Sequence, residues 1–272
     1  METKLKVIVD NIPFNNVKGE WGLSILVEHN DKRILVDTGS SNLFAENLKI
    51  FGIDINDIDL GVISHAHYDH SNGMKMFFTK NSHAKMYLQE KSGENCYFKK
   101  FFIKKYIGIP HDITKEFSDR IEYVNNLYSI DDKTYLLSHS TPGLSRIGKR
   151  ENMYIKNGKK FEADDFSHEQ SLVLDTSKGL VIINSCSHGG VLTILNEVEK
   201  AFPGKKIYGL IGGFHLFNKS QKEIKEVAQN LADKGIDFVC TGHCTKDRAY
   251  NYLKEKLGDK LEQLHVGLDL EF

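Results

Sequence analysis

The run His65-Ala66-His67-Tyr68-Asp69-His70 places four potential metal ligands within six residues. It follows the apolar segment 60–64, which has the length and composition of a buried strand. If the strand continued, three of the four ligand side chains would share one face and His70 would point to the other. The four can meet only if the chain turns sharply after residue 64. Imidazole and carboxylate groups in a partly open site suit zinc, iron or manganese, so the run predicts a metal centre at a strand end.

Three further histidines follow predicted strands in the C-terminal part of the chain. The pattern there predicts strands at 180–184, 206–211 and 238–240, and helices at about 190–201, 220–234 and 246–257. The middle helix has the clearest boundaries, because Ser220 and Glu223 match a capping box and Gly235 suits a left-handed stop. Ligand sites of α/β sheets collect at the carboxyl ends of strands. We therefore expect three strand-end histidines at the edge that carries the His65 run: His188, His215 and His243.

The N-terminal part of the chain predicts a second set of strands. They are expected at 4–9, 22–28 and 33–37, with a helix at 42–50. Asp37 ends the third of these strands and precedes Thr38-Gly39. Its carboxylate can accept a hydrogen bond from a ligand imidazole and select its tautomer, or it can form the turn, and the two roles are compatible.

Residues 90–150 follow neither helical nor strand periodicity and are rich in Lys, Phe and Tyr. We interpret this range as an insertion that caps the metal edge and supplies much of the substrate pocket. Its aromatic rings could stack on a ring of the substrate, and its cations favour an anionic ligand such as a phosphate ester. Alternatively, the cations form a solvated basic face. They are Lys99, Lys100, Lys104, Lys105, Arg146, Lys149 and Arg150.

Composition and charge bound the class of protein. Lys plus Arg (36) nearly cancels Asp plus Glu (37), which argues against a nucleic-acid or membrane binder but leaves room for a local basic patch. The chain has no signal-peptide pattern and no run of 18 apolar residues, so we expect a cytoplasmic protein with reduced cysteines and a small-molecule substrate. A chain of 272 residues can bury a core without a structural metal, and we expect a single domain over 1–272.

Taken together, these motifs resemble the metallo-β-lactamase-fold superfamily over nearly the whole chain. The similarity rests on the His65 run, the preceding Leu35-Val36-Asp37-Thr38-Gly39 and the strand-end histidines. One branch, the dihydropterin ribofuranosylaminobenzene phosphate synthases of methanopterin-related chemistry, is similar in further segments: 165–170, 185–190, 212–216 and 241–245. The resemblance implies an α/β (α+β) fold built as a four-layer αββα sandwich, with two divalent metal ions at one edge.

The resemblance also implies which side chains bind these ions. The first two histidines of the run would bind one ion, and its aspartate and last histidine the other. His243 would join the second ion, and His188 is our choice to complete the first. Asp69 would in addition hold the attacking water. The implied ligands are His65, His67, Asp69, His70, His188 and His243.

Other residues keep alternative interpretations. Cys186 stands where other branches carry a bridging acid or a cysteine, so a thiolate ligand competes with His188. His168 is either a ligand or supporting residue, or a cap of the local structure. His215 either contacts substrate and transfers a proton or makes a structural hydrogen bond. The remaining histidines are expected on the surface or in packing: His83, His111, His139 and His265.

Three functions are compatible with these features. The first is a metal-dependent hydrolase, zinc being the first choice of metal, that acts on a small, anionic or phosphorylated substrate through metal-activated water. The second is a pterin-type transferase or synthase, which rests on the branch resemblance alone. The third is a di-iron redox protein, although no flavodoxin-like segment follows the core.

Overall fold

Eighteen strands and eight helices form the fold in the computed structural model, which describes residues 2–272. The strands are β1 (Lys4–Val9), β2 (Ser24–His29), β3 (Lys32–Val36), β4 (Leu60–Val62), β5 (Lys85–Gln89), β6 (Cys96–Lys100), β7 (Ile103–Tyr106), β8 (Ile121–Val124), β9 (Leu127–Ser129), β10 (Thr134–Ser138), β11 (Met153–Asn157), β12 (Lys160–Ala163), β13 (Gln170–Thr176), β14 (Gly179–Ile183), β15 (Ile207–Gly212), β16 (Phe238–Thr241), β17 (Leu261–Gln263) and β18 (Asp269–Glu271). The helices are α1 (Leu43–Ile50), α2 (Tyr68–Ser71), α3 (Met74–Lys80), α4 (Ile113–Glu116), α5 (Ser145–Glu151), α6 (Val191–Ala201), α7 (Gln221–Asp233) and α8 (Lys246–Leu257).

Most strands belong to two seven-stranded sheets. The first has the order β18-β1-β2-β3-β4-β5-β8, and the second the order β17-β16-β15-β14-β13-β10-β9. Neighbours are parallel from β3 to β8 in the first sheet and from β14 to β17 in the second. The carboxyl ends of the parallel strands are therefore where loops leave each sheet towards a common edge.

Three apolar clusters define the layers. One contains Ile25 and Val36 of the first sheet with Leu172 and Val181 of the second, so it fills the space between the sheets. A second joins the outer face of the first sheet to α1 and α3, and the third joins the outer face of the second sheet to α6, α7 and α8. This arrangement confirms the predicted αββα sandwich.

Helix α7 follows its predicted boundaries closely. The Ser220 hydroxyl accepts a hydrogen bond from the Glu223 amide, and the Glu223 carboxylate accepts one from the Ser220 amide. Ile224 and Leu231 are buried against the second sheet, and Gly235 has a φ of 68° after the helix end. Local capping and an apolar face thus agree with the tertiary packing.

The interpretation of 90–150 as one insertion is wrong for part of that range. Strand β8 forms the edge of the first sheet, and β9 and β10 belong to the second. These strands are only three to five residues long, too short for an alternating pattern to stand out in the sequence. The material outside the two large sheets is a smaller sheet of order β12-β11-β6-β7, drawn from both sides of β8–β10.

The smaller sheet lies beside the His65 run. The Tyr68 amide donates to the Ile107 carbonyl at 2.9 Å, and His67 forms an isolated bridge with Gly108. Cys96 of β6 is buried in the cluster on the outer face of the first sheet. This part of the predicted cap therefore adjoins the predicted metal edge. Within the described residues, no helix combines the length and apolarity needed to cross a membrane.

Candidate metal centre

The strand ends that carry predicted ligands meet at one edge of the sandwich. Strand β4 ends just before His65, and β14 ends shortly before His188. Nε2 of His188 lies 3.2 Å from Nε2 of His65 and 3.1 Å from Nδ1 of His67. All three side chains are buried. Loops from two different sheets thus bring together the three histidines predicted for the first ion.

The spacing of these three nitrogen atoms fits a metal ion. Zinc–nitrogen bonds in a tetrahedral site place ligand nitrogens about 3.4 Å apart. Burial, followed by repulsion among the surrounding histidines, lowers the pKa of His65, His67 and His188 well below the usual value. The imidazoles are therefore neutral, and their lone pairs are available to a cation.

The second predicted group lies beside the first. A carboxylate oxygen of Asp69 is 3.8 Å from Nε2 of His70 and 3.7 Å from Nε2 of His243. Nδ1 of His243 contacts the side-chain oxygen of Asn11 at 3.2 Å, whereas its buried Nε2 has no hydrogen-bond partner among residues 2–272. Burial lowers the pKa of His243 to about 3, so this nitrogen also carries a lone pair. The donor set suits a second divalent cation.

The Cys186 thiol lies between the two groups. Its Sγ atom is 3.3 Å from Nε2 of His70 and within 4.8 Å of ligand atoms of His65, His188 and His243. Burial raises the pKa of Cys186 well above the usual value, so a nearby cation is needed to favour the thiolate. A ligand that bridged two ions would lie in such a position. His188 and Cys186 are both close enough to serve, so neither alternative excludes the other.

Asp37 orients His70. It follows β3 with a φ of 60°, a conformation that Asp and Asn tolerate better than most residues. One carboxylate oxygen accepts the Ser64 amide at 2.7 Å, and the other accepts the Ser64 hydroxyl at 2.7 Å and Nδ1–H of His70 at 2.8 Å. With its proton on Nδ1, His70 presents the lone pair of Nε2 to the site. Both roles predicted for Asp37 are therefore present in the geometry.

His168 contacts the His65 run and also lies in a buried group with His67, Cys96 and Asp164 whose ligand atoms are within 4.8 Å of one another. Its Nδ1 accepts the Ala66 amide at 3.2 Å, so the ring proton is on Nε2, which lies 3.1 Å from Oδ2 of Asp164. The same carboxylate oxygen is 4.0 Å from Nε2 of His67. The Asp164–His168 pair therefore contacts both the backbone and a side chain of the run.

Two buried side chains that sequence patterns did not single out hold the loop after β14. Glu169 accepts the His188 amide at 2.9 Å and the Gly189 amide at 3.2 Å. Asn184 accepts the amide of Ser187, a residue with a φ of 53°, at 2.7 Å. In the sequence, the only feature that pointed to either residue was the position of Glu169 beside His168. These bonds fix the backbone that carries Cys186 and His188.

A chain of hydrogen bonds extends from Asn184 to helix α6. The side-chain amide of Asn184 donates to the Ser171 hydroxyl at 2.9 Å, and Nε2 of His139 contacts the same hydroxyl at 2.7 Å. Nδ1 of His139 lies 2.5 Å from a carboxylate oxygen of Glu197 on α6. His139 is thus a buried positioning residue, which no sequence signal indicated because His139 and Glu197 are 58 positions apart.

His215 lies next to the first group, with its ring centroid 4.3 Å from that of His188. Burial lowers the pKa of His215, but its interactions with Cys244 and Glu151 outweigh this effect and raise the pKa to about 9. Nε2 of His215 is 3.8 Å from a carboxylate oxygen of Glu151. A protonated imidazole at this position could donate a proton to a leaving group.

A cavity of about 300 Å³ opens beside His188 and His215. Leu192, Phe214, Leu216 and Val227 form its apolar wall, and its charged lining consists of two cations and two acids: Arg150, Lys219, Glu223 and Glu226. Lys219 is 2.5 Å from Glu151, and Arg150 is 3.3 Å from Glu223, so the cations are held in place by acidic partners. The combination suits a small ligand with an apolar part and an anionic group.

Two groups of buried ligand side chains at one edge of an αββα sandwich define the class of metallo-β-lactamase-fold proteins. Residues 22–193 match the family model of the metallo-beta-lactamase superfamily, and the chain belongs to that superfamily.

Relatives similar over nearly the full length carry different names. A 7,8-dihydropterin-6-methyl-4-(beta-D-ribofuranosyl)-aminobenzene-5'-phosphate synthase of Methanocaldococcus jannaschii is 27% identical over 93% of this chain and 90% of its own. The crystal structure of a metal-dependent hydrolase of the beta-lactamase superfamily is 28% identical, covers 99% of both chains and has a TM-score of 0.85. A diphosphatase of the PhnP family, 14% identical with a TM-score of 0.57 over 100% of this chain and 98% of its own, shares the fold.

Proposed function

We propose that this protein is a metal-dependent hydrolase that uses two divalent ions to cleave a small anionic or phosphorylated substrate. The observation that carries the proposal is the pairing of two buried ligand groups with an adjacent cavity that has an apolar wall and fixed cations. The metal-dependent hydrolase similar to this chain over 99% of its length supports the same reaction class.

The first ion would be held by His65 Nε2, His67 Nδ1 and His188 Nε2, because these atoms already lie at ligand spacing. The second would be held by side chains of Asp69, His70 and His243, with Cys186 between the two ions. Bound divalent ions would act as Lewis acids: they would lower the pKa of bound water towards neutrality and stabilise negative charge in the transition state.

The protein side chains would orient the substrate and move the proton. Arg150 and Lys219 lie where they could bind an anionic group, and Phe214 and Leu216 would cover an apolar part and exclude water. Asp69 would accept a hydrogen bond from the attacking water. His215, with its raised pKa, would be protonated at neutral pH and would donate to the leaving oxygen.

A synthase of the pterin type is the second candidate, supported by the relative from Methanocaldococcus jannaschii. Two experiments separate the candidates. Product analysis with a panel of phosphate esters, with and without a second pterin-like substrate, would give hydrolysis without the second substrate if the proposal holds. Turnover only in the presence of both substrates would favour the synthase. A di-iron spectrum on the isolated protein would instead favour redox chemistry.

Metal analysis of two variants tests the ligand set. If His188 is required for the first ion, His188→Ala will lose about one ion per chain, whereas Cys186→Ser will keep that ion. The opposite result would assign the thiolate as the essential ligand. Anomalous scattering from crystals of the wild-type protein identifies the metals themselves, and circular dichroism of both variants controls for folding.

A further inference from the structure

The hairpin formed by β6 and β7 ends in an unusually exposed apolar tip. Lys100 pairs with Ile103, so Phe101 and Phe102 form the two-residue turn. Phe101 is 89% exposed, Phe102 is 102% exposed and Ile103 is 62% exposed. Three consecutive large apolar side chains at a protruding apex contribute nothing to the core. Their exposure therefore indicates a binding surface.

The backbone conformation of the turn also indicates that the tip is a binding surface. Phe101 has a φ of 53°, in the left-handed region where Asn, Asp or Gly normally occupies a tight hairpin turn. A bulky aromatic residue there opposes hairpin formation. Since the residue works against local stability, its value to the protein must lie in what its side chain contacts outside the fold.

Four lysines lie on the two strands that lead to the tip, two on each strand. Lys99 and Lys104 lie over the ring of Phe161 at 4.4 and 5.4 Å, and Lys105 lies over the ring of Tyr68 at 5.5 Å. None of these lysines, nor Lys100, forms an ion pair with an acidic residue in the described range 2–272. The nearly neutral chain thus carries a concentrated, uncompensated positive charge around an apolar apex.

We propose that this hairpin docks on an anionic lipid surface, with Phe101, Phe102 and Ile103 in the interfacial region and the lysines at the headgroups. Aromatic and aliphatic side chains flanked by lysine are the combination that binds such interfaces, and the long lysine side chains reach the phosphates while their stems stay apolar.

A protein partner fits the tip less well. A stable protein interface buries about 800 Å² on each partner, which three side chains at a narrow apex do not provide. A second copy of this chain would also bring four lysines against four lysines. An anionic bilayer, by contrast, complements the charge and accepts a narrow apex.

Docking would bring the membrane close to the metal edge. The segment after β7 carries the Ile107 carbonyl that accepts the Tyr68 amide, and Gly108 bridges to His67. The hairpin therefore leaves the fold directly beside the His65 run. The docking inference does not depend on the proposed reaction.

Vesicle co-sedimentation with the full-length protein tests the inference. Vesicles of phosphatidylcholine with about one-third phosphatidylglycerol should bind the wild-type protein at low salt, and 0.5 M salt or pure phosphatidylcholine should reduce the bound fraction at least about tenfold. In the observed turn only the first central residue has a positive φ, so the double variant Phe101→Gly with Phe102→Asn suits this conformation and retains the hairpin while the apolar tip is removed. Its affinity for anionic vesicles should fall at least about tenfold.

Matched controls separate the tip from general surface effects. Ile50→Asn removes another exposed apolar side chain, and the pair Lys222→Gln with Lys256→Gln removes two exposed lysines elsewhere; neither should change binding. The pair Lys100→Gln with Lys104→Gln should weaken it at least about tenfold. The inference is overturned if the wild-type protein does not bind anionic vesicles or if the tip variant binds them as well as the wild-type protein does. It is equally overturned if light scattering shows a dimer that becomes monomeric in the tip variant without any vesicle binding.

Discussion

Several imidazoles of the candidate metal centre have a second side chain beside them that contacts the ring or holds the backbone. Asp37 fixes His70, the Asp164–His168 pair lies behind His67, and Glu169 holds the backbone at His188. Such partners commonly affect metal affinity nearly as much as the ligands do. The residue scale is therefore where the metal proposal is most directly testable.

Replacing His65 or His67 by Ala should leave a folded protein that has lost about one metal ion and nearly all hydrolytic activity. The fold should persist because Val62 and Val181 belong to an apolar core that is independent of the ions. Activity should fall because a missing imidazole weakens binding of the first ion. Metal analysis and activity assays, with circular dichroism as the folding control, check this expectation. Full metal content and full activity in both variants would contradict the central proposal.

Asp37→Asn should lower metal affinity about 10- to 100-fold while preserving the fold. Asn tolerates the φ of 60°, but it has one accepting oxygen where Asp37 uses two, so its NH2 group must face either the Ser64 amide or Nδ1–H of His70. Asp31→Asn is a matched control, because Asp31 has a φ of 61° and is exposed. Competition with a chelator measures the affinities. Equal affinities of the two variants would show that the Asp37 contact does not act on the metal site.

Among the elements, the long helices and the segments that follow strand ends have separate tasks. Helices α6, α7 and α8 cover the second sheet, while the ligand side chains lie in the segments after β4, β14 and β16, two of them in the short helix α2. The caps and packing of these helices therefore contribute to the free energy of unfolding, and they need not affect metal binding. The smaller sheet is the exception, because it adjoins the His65 run through Ile107.

Ser220→Ala should destabilise the protein by about 1 kcal/mol through loss of the capping box of α7. The Glu223 amide would lose its side-chain acceptor, and no ligand residue lies on this helix. Urea denaturation measures the change in the free energy of unfolding, and Gln221→Ala on the same helix is the control. Unchanged stability in Ser220→Ala would contradict the stabilising role of the capping box. Loss of bound metal in this variant would contradict the separation of tasks.

On the scale of the whole molecule, ion pairs connect the two sheets. Lys32 of β3 lies 2.7 Å from a carboxylate oxygen of Asp131, in the turn between β9 and β10. Burial raises the pKa of Asp131, but hydrogen bonds from Lys32 and from the Lys133 amide outweigh it and lower the pKa to about 2. Ionised Asp131 therefore stabilises the folded state.

The pair should make stability depend on pH between about 4 and 2. A carboxyl with a lower pKa in the folded state contributes fully above its unfolded pKa of about 3.9, and loses that contribution as the pH falls through the folded value. Asp131→Asn should therefore be less stable than wild type at pH 6, and the difference should shrink towards pH 2. Urea unfolding of both proteins at several pH values checks this. A difference that is constant with pH would exclude ionisation of Asp131 as its cause.

The sequence by itself determined those features of this protein that depend on residues close together along the chain. The ligand-rich run after an apolar strand, the capping box of α7 and the repeated strand-then-helix pattern predicted the elements and a shared strand-end edge, and the sandwich was what the family resemblance implied. These signals work because periodicity, caps and turn residues act over a few positions along the chain.

Only the tertiary structure decided the contacts between distant segments. It assigned β8, β9 and β10 to the large sheets, turned His168 towards Asp164, and linked His139 to the ligand loop through Ser171. Strands of three to five residues have too few positions to show a clear alternation. Buried hydrogen bonds likewise join residues that are far apart in sequence, so their pairing exists only once the two sheets have packed.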